Sequence, residues 1–178
     1  MMKINLPNLL TVLRIAFVPV FMVFALYEVL PGSGYIALTL FVLAAATDWL
    51  DGYLARKHNQ ITNFGKIMDP LADKLLVTGA LLCLVQNGMV SSWIIFIVLF
   101  REFLVSGIRI SAAAEGNVIA ASIWGKLKTV WQFAAIILAL ITARPSLLVD
   151  VMMWIAAILT IISGIDYVIK NRKHVSMN

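Results

Sequence analysis

The sequence predicts an all-α, polytopic membrane protein with six transmembrane helices, and composition, segment length and charge placement each support this fold class. Of the 178 residues, 62% are hydrophobic and only 13% are charged, whereas an average soluble domain is about 45–50% apolar and about 25% charged. A soluble chain of this size has too little interior to hide so many apolar side chains. A soluble enzyme, a disordered tail and a nucleic-acid-binding arm are therefore excluded.

Six apolar segments are long enough to cross about 30 Å of hydrocarbon, which takes about 20 helical residues. In chain order, the predicted spans are residues 9–30, 35–55, 70–86, 93–114, 119–142 and 147–169. Segments rich in glycine, proline and polar residues separate them, at positions 31–34, 57–65, 87–88, 115–117 and 144–146. Because no repeat, linker or soluble segment interrupts this series, residues 1–178 are predicted to form a single membrane domain.

The placement of lysine and arginine predicts that both termini face the cytoplasm, since basic residues concentrate on that side of a membrane. With six spans, the N-terminus, the second and fourth connections and the C-terminus share one side. Twelve of the 14 basic residues lie on that side or at the span ends nearest to it: Lys3, Arg14, Arg56, Lys57, Lys66, Lys74, Arg109, Lys126, Lys128, Lys170, Arg172 and Lys173. Arg144 lies on the opposite side, and Arg101 lies within a span. The odd-numbered connections carry no catalytic-looking cluster, so the chemistry is expected at the cytoplasmic face.

Four of the nine acidic residues fall within 26 positions. Asp48 and Asp51 lie three apart at the end of the second span, and Asp69 and Asp73 lie four apart at the start of the third. Pro70 is predicted at the first helical position of that third span. These spacings place each pair on one helix face, and the short connection implies antiparallel helices. We therefore expect the four carboxylates to converge near the membrane–water boundary, where their mutual repulsion needs a compensating charge.

A set of oxygen ligands without histidine or cysteine favours a hard divalent cation, with Mg²⁺ or Mn²⁺ preferred and Ca²⁺ possible. Four carboxylates can hold two such ions about 4 Å apart, an arrangement that clamps phosphoryl groups. Gly52, Ala55 and Gly65 leave room for a ligand beside the backbone, and Arg56 is suited to bind a phosphate. The structural alternative is that the aspartates only pair with the neighbouring cations Arg56, Lys57, Lys66 and Lys74.

The stretch Asp48-x2-Asp51-Gly52-x2-Ala55-Arg56-x8-Gly65-x3-Asp69-x3-Asp73 resembles the signature of the CDP-alcohol phosphotransferase family, with every signature position filled. The resemblance implies a six-helix membrane core over essentially the whole chain and a homodimer. It also implies that an alcohol hydroxyl displaces CMP from a CDP-linked substrate at a cytoplasmic di-metal site. The four aspartates would ligate the metals, and Asp73 would also be the general base. Gly52, Ala55, Arg56 and Gly65 would accommodate the cytidine diphosphate.

Five cations within or beside the spans are candidates for binding a second anion next to the metals: Arg14, Arg101, Arg109, Lys126 and Lys128. An arginine inside a membrane faces a cavity, a partner or a functional site, and a small acceptor that carries its own phosphate needs such a cationic pocket. Two structural alternatives stay open. Arg101 and Glu102 can form a buried pair, and Arg14, Lys126 and Lys128 can extend towards lipid headgroups.

Three segments around these cations, residues 5–14, 101–109 and 125–129, are similar to segments of bacterial phosphatidylglycerophosphate synthases, one branch of that family. This similarity implies an inner-membrane enzyme that joins CDP-diacylglycerol to sn-glycerol 3-phosphate. The nearest alternative is the same reaction with inositol phosphate, serine or another acceptor. An alternative from a different class is a divalent-cation transporter, which needs carboxylates near mid-membrane and a path to both sides. Here the carboxylates cluster at one face, which favours the enzyme.

Overall fold

The computed structural model describes residues 6–57, 63–117, 119–120 and 122–172, and within these ranges it describes all side chains except those of residues 6–8, 10, 48–57, 63–67, 69–70 and 73. This described part forms six α-helices and no β-strand. The helices are α1 (Leu6–Leu26), α2 (Ser33–Lys57), α3 (Asn63–Gln86), α4 (Ser92–Ala114), α5 (Ile123–Thr142) and α6 (Leu147–Lys170). The all-helical fold class is confirmed, with one helix for each predicted span.

Helix α1 ends four residues earlier than predicted, at Leu26 instead of residue 30. Local hydrogen bonds around Ser33 explain the difference. The Ser33 hydroxyl accepts a hydrogen bond from the Leu30 N–H (3.0 Å) and donates one to the Leu30 carbonyl (2.8 Å). Pro31 also disfavours a helical conformation for the residue before it. Residues 27–30 therefore form an irregular bend that leads into the turn at Pro31 and Gly32, instead of a last helical turn.

The starts of α3 and α5 also differ from the prediction. Helix α3 begins at Asn63, so Pro70 lies inside the helix and not at its first position. The apolar segment indicates only which residues can lie in hydrocarbon. The hydrogen-bonded helix begins earlier in the chain, in polar sequence. Helix α5 begins at Ile123 instead of residue 119, because the Ser122 hydroxyl caps it by accepting a hydrogen bond from the Gly125 N–H (3.1 Å).

The helices belong to two compact units. One unit comprises residues 1–87 with 140–143, and the other comprises residues 88–139 with 144–178. In the first, α1 packs against α2 and α3, and α2 packs against α3; the rings of Phe21 and Phe41 lie 5.8 Å apart between α1 and α2. In the second, α4 packs against α6, and the Trp131 indole of α5 donates a hydrogen bond to the Met152 carbonyl of α6 (3.1 Å). The single domain predicted over residues 1–178 stays a prediction.

Close approach between α1 and α3 depends on a glycine. A Cβ added at Gly79 would lie 3.0 Å from Val18 Cγ1 and 3.4 Å from Met22 Sδ, and real Cβ atoms essentially never come closer than the first of these distances. Small residues allow helix backbones to approach in this way. A side chain at position 79 would therefore force Val18 or Met22 to shift.

Helix α4 exposes a stripe of aromatic side chains and shelters two of its charged ones. Phe96, Phe100 and Phe103 recur at helical spacing on its exposed face, and Phe103 is 71% exposed. Arg101 and Glu102 lie on the opposite face, with side chains only 11% and 19% exposed. Monomeric soluble proteins rarely expose large apolar patches, which mark protein or membrane interfaces, so this stripe fits a membrane protein.

Within the described residues, two helices, α5 and α6, are long and apolar enough to cross a membrane. Helices α1, α2 and α3 contain shorter apolar stretches, over residues 11–26, 33–47 and 74–86. The apolar sequence of α4 is interrupted by the charged residues Arg101, Glu102 and Arg109. The six-span topology and the cytoplasmic termini therefore stay predictions.

We expect Gly79→Ala to destabilise the protein by about 1–3 kcal/mol, because the new methyl group overpacks the α1–α3 contact. The matched control is Gly107→Ala in α4, where an added Cβ meets nothing within 4 Å and alanine favours the helix. Thermal unfolding of both variants in detergent tests this. A Gly79→Ala protein that melts at the temperature of the unmodified protein would show that the contact relaxes freely.

Candidate functional site

The signature aspartates lie at one end of the α2–α3 pair. Asp48 and Asp51 belong to about the last three turns of α2, and Asp69 and Asp73 belong to about the first three turns of α3. These helices pack against each other and are joined through residues 58–62, which is too short a connection to separate the two ends. The side chains of all four aspartates lie outside the described ones, so the convergence of their carboxylates stays a prediction.

The positions that the family resemblance assigns to cytidine diphosphate lie at the same end. Gly52, Ala55 and Arg56 belong to α2, and Gly65 belongs to α3; their side chains are also outside the described part. Among the side chains that are described, no group of three or more histidine, cysteine, aspartate or glutamate residues lies together. The four signature aspartates therefore remain the candidates for ligating a metal.

A second group of polar residues joins the three helices of the other unit. Glu102 Oε1 of α4 accepts hydrogen bonds from Arg101 Nη1 (3.0 Å) and from Lys128 Nζ of α5 (2.7 Å). Arg101 Nη2 donates to Ser163 Oγ of α6 (2.7 Å). We call Arg101, Glu102, Lys128 and Ser163 the α4–α6 polar cluster. The Arg101–Glu102 pair that the sequence left open is present, and it is one part of this larger network.

Two glycines shape the space around Arg101. A Cβ added at Gly125 would lie 3.3 Å from Arg101 Nη2, and one added at Gly164 would lie 3.2 Å from Arg101 Cγ. Both distances are tighter than ordinary van der Waals contact, so a larger residue at either position would press on the arginine. With Nη1 and Nη2 bound, the remaining nitrogen, Nε, has no exposed surface and no hydrogen-bond partner in the described part of the chain.

The five predicted acceptor cations occupy different surroundings. Arg101 and Lys128 meet at Glu102 within the polar cluster. Arg109 donates from Nε to Tyr167 Oη (3.1 Å), and Cζ of Arg109 lies 5.6 Å from the centre of the tyrosine ring. Lys126 is exposed in the first turn of α5. Arg14 is buried in α1 and belongs to the other unit. The described contacts thus bring together two of the five cations, Arg101 and Lys128.

Burial tests the structural alternative that Arg14, Lys126 and Lys128 extend towards lipid headgroups. Lys128 is 5% exposed and its ammonium group binds Glu102, so an extension towards lipid headgroups does not fit this residue. Lys126 is exposed and fits that alternative. Arg14 is buried, which also argues against an extension to the surface.

Sequence reasoning missed three polar residues of this unit: Gln132, Ser163 and Tyr167. Each carried a signal. Gln132 follows Lys128 by four residues on α5, which places both on one helix face. Ser163 and Tyr167 are also four apart in the otherwise apolar α6, and they accept the hydrogen bonds of Arg101 and Arg109. The helical spacing of these polar residues within otherwise apolar sequence therefore indicated which sides of α5 and α6 are polar.

Comparison with known proteins matches most of the chain. A protein-family model described as CDP-alcohol phosphatidyltransferase matches residues 4–162. A protein of Bacillus subtilis (strain 168), named CDP-diacylglycerol–glycerol-3-phosphate 3-phosphatidyltransferase, is 42% identical over an alignment of 183 residues that covers 94% of this chain and 95% of that protein. Proteins with the same name from Rickettsia bellii and Haemophilus influenzae are each 40% identical and cover 92% and 93% of this chain, and 93% and 92% of their own lengths.

We expect Glu102→Ala to destabilise the protein by about 3–5 kcal/mol, because it removes the carboxylate that Arg101 and Lys128 share and leaves their charges sheltered from water. The control is Lys170→Ala. Lys170 is 61% exposed in its ion pair with Asp166, and loss of such a pair costs less than about 1 kcal/mol. Thermal unfolding in detergent compares the two variants, with Glu102→Gln as a shape-preserving alternative if Glu102→Ala does not fold. Equal melting temperatures for all variants would contradict a stabilising role of Glu102.

Proposed function

The chain belongs to the CDP-alcohol phosphatidyltransferase family, and we propose that it transfers the phosphatidyl group from CDP-diacylglycerol to sn-glycerol 3-phosphate. The products are phosphatidylglycerol phosphate and CMP. The observation that carries this proposal is the identity of 42% over nearly the full length of a relative named for that reaction. The complete aspartate signature on α2 and α3 and the cationic side chains of the α4–α6 polar cluster also support it.

The enzyme acts in a bacterial inner membrane, with six spans, both termini in the cytoplasm and the active site at the cytoplasmic face. The contacts of the second unit support alternating spans. Arg101 of α4 contacts Ser163 of α6, and Arg109, which comes later in α4, contacts Tyr167, which comes later in α6. The two helices therefore run in the same direction. In a chain that crosses the membrane at each helix, the fourth and sixth spans must run in the same direction. A homodimer is the oligomeric state that the family resemblance implies.

The residues present fit a divalent metal, which enzymes of this family generally use. The donor set is four carboxylates from Asp48, Asp51, Asp69 and Asp73, and hard cations prefer such oxygen ligands. We assign two Mg²⁺ ions to this set, with Mn²⁺ as a substitute. When bound, the ions would neutralise the diphosphate and stabilise the departing CMP.

Within this proposal, the protein positions the substrates and moves one proton. Gly52, Ala55 and Gly65 leave room for the cytidine diphosphate, and Arg56 binds its phosphate. Asp73 accepts the proton of the glycerol 3-phosphate hydroxyl while the hydroxyl oxygen forms a bond to the phosphorus that carries diacylglycerol. The bond between this phosphorus and the CMP oxygen breaks, and CMP leaves with the electron pair. Such a displacement depends mainly on orientation and charge neutralisation.

The acceptor phosphate is assigned to Arg14, Arg101, Arg109, Lys126 and Lys128. Support is strongest for Arg101 and Lys128, whose cationic groups meet at a single carboxylate oxygen in a sheltered part of α4–α6. Cations that are close together and shielded from water favour an anion. A neutral acceptor has no need for them, and this argues for a phosphorylated alcohol.

Two alternatives make different predictions. Inositol phosphate or serine as the acceptor would keep the reaction and change the residues that recognise the alcohol. A divalent-cation transporter would use the aspartates as a permeation site, but their backbone positions gather at one end of α2 and α3. Metal uptake into proteoliposomes in the absence of CDP-linked lipid would favour the transporter.

We expect purified protein in detergent with CDP-diacylglycerol and Mg²⁺ to release CMP when glycerol 3-phosphate is added, and not with inositol phosphate or serine. Asp73→Asn should lower the rate by about 100-fold or more, since it removes the general base. The matched control is Asp150→Asn, which changes an exposed aspartate in the first turn of α6 and should leave the rate intact. Release with another alcohol would overturn the acceptor, and no release from folded protein would overturn the reaction.

Arg109→Ala and Lys126→Ala should each raise the KM for glycerol 3-phosphate by about 10-fold, which corresponds to the loss of one charge-assisted contact. The KM for CDP-diacylglycerol should change much less. Arg144→Ala, which removes the exposed arginine between α5 and α6, is the control. Unchanged kinetics in both Arg109→Ala and Lys126→Ala would refute their assignment to the acceptor phosphate.

A further inference from the structure

Gln132 in the middle of α5 is a buried polar residue that the proposed mechanism does not use. It is 3% exposed, and its amide nitrogen Nε2 has no exposed surface and no hydrogen-bond partner within the described part of the chain. The other buried polar side chains of α5 and α6 have partners. Lys128 binds Glu102, Ser163 accepts from Arg101, and Thr160 donates to the Ala156 carbonyl of its own helix (2.7 Å).

A buried amide donor without a partner lowers stability, because it has lost its hydrogen bonds to water and gained none in return. Native proteins contain few such groups, and each one calls for a physical explanation, such as a ligand, an ion or an ordered water. In an apolar helix the cost is easily avoided, since leucine or methionine has a similar volume. The presence of glutamine at position 132 therefore calls for a partner that its amide can bind.

The position of Gln132 relates it to the α4–α6 polar cluster. Gln132 follows Lys128 by four residues, so the two side chains occupy adjacent turns of the same buried face of α5. Lys128 contacts Glu102, which in turn binds Arg101. The Nε of Arg101 is the second buried donor of this unit without a partner in the described residues. Both are N–H donors, so a ligand that satisfies them must offer acceptor oxygens.

We propose that Gln132 is a specificity-determining residue of the acceptor site, where its Nε2 donates a hydrogen bond to an oxygen of sn-glycerol 3-phosphate. This inference rests on the proposed function. The acceptor is favoured over the CDP-linked lipid because Gln132 lies beside acceptor cations, whereas the cytidine diphosphate signature belongs to α2 and α3. An uncharged donor adds little to general anion attraction. It discriminates instead between ligands that place an oxygen within hydrogen-bond distance of the donor and ligands that do not.

The test compares Gln132→Leu with Thr160→Val in the full-length protein. Each substitution replaces a buried polar side chain with an apolar one of similar volume, but Thr160 bonds to its own helix. Gln132→Leu should raise the KM for glycerol 3-phosphate, by about 10- to 100-fold for a hydrogen bond to the charged phosphate and by up to about 10-fold for one to a neutral hydroxyl. The KM for CDP-diacylglycerol should stay the same, and Thr160→Val should change neither.

A second measurement separates binding from a structural role. Without substrate, Gln132→Leu should melt at the same temperature as the unmodified protein or higher, because the unsatisfied amide is gone. Glycerol 3-phosphate should raise the melting temperature of the unmodified protein and of Thr160→Val, and should do so much less for Gln132→Leu. Lower stability of Gln132→Leu with an unchanged KM would overturn the inference, and so would a raised KM for CDP-diacylglycerol alone.

The analogue 3-hydroxypropyl phosphate, which lacks the middle hydroxyl group of glycerol 3-phosphate, identifies the oxygen. If Gln132 binds that hydroxyl, the preference of the enzyme for glycerol 3-phosphate over the analogue falls in Gln132→Leu. If Gln132 binds a phosphate oxygen, kcat/KM falls equally for both acceptors; either result supports the inference. A protein that ignores glycerol 3-phosphate altogether refutes the proposed function, whereas a normal response that Gln132→Leu leaves unchanged refutes only the role of Gln132.

Discussion

The ion pairs of Glu102 are the interaction on which the second unit depends. A chain with so few charged residues holds Arg101 and Lys128 in sheltered positions, and ionised groups shielded from water are costly unless a counter-charge lies close. One carboxylate oxygen serves both cations. It also connects α4 to α5, and Arg101 extends the connection to Ser163 of α6. The same contacts therefore limit the cost of the charges and join three helices, in addition to the Trp131–Met152 and Arg109–Tyr167 hydrogen bonds.

Small residues make this arrangement possible. Gly125 and Gly164 leave the space that the arginine side chain fills, and Ser163 offers a short acceptor that larger polar residues could not place so near the helix axis. In the first unit Gly79 has a related role, since it lets α1 and α3 approach until Val18 touches the glycine. Glycine at these helical positions is thus favoured by what lies beside it, at the expense of helix propensity.

The sequence predicted the number and type of the helices because long apolar segments can satisfy their backbone in hydrocarbon only as helices. It missed boundaries such as the end of α1, which the hydrogen bonds of Ser33 determine, because hydropathy does not detect capping. It identified Arg101 and Lys128 as functional candidates from their charge. It did not identify Ser163 or Gln132, since uncharged polar residues scarcely change hydropathy, and their helical spacing indicates a polar face without identifying their partners in space.

Prior pairing of the cations with Glu102 has a consequence for catalysis. Arginine and lysine have long side chains, and a ligand that had to order them would lose affinity to the entropy of that ordering. Because Arg101 is held at two of its nitrogens before any ligand binds, its remaining donor is already oriented, and Gln132 is held by its burial. In the proposed acceptor site, the stability lost to unsatisfied donors would be recovered when an acceptor with matching oxygens binds. A site built in this way favours the ligand that completes its hydrogen bonds over one that merely carries negative charge.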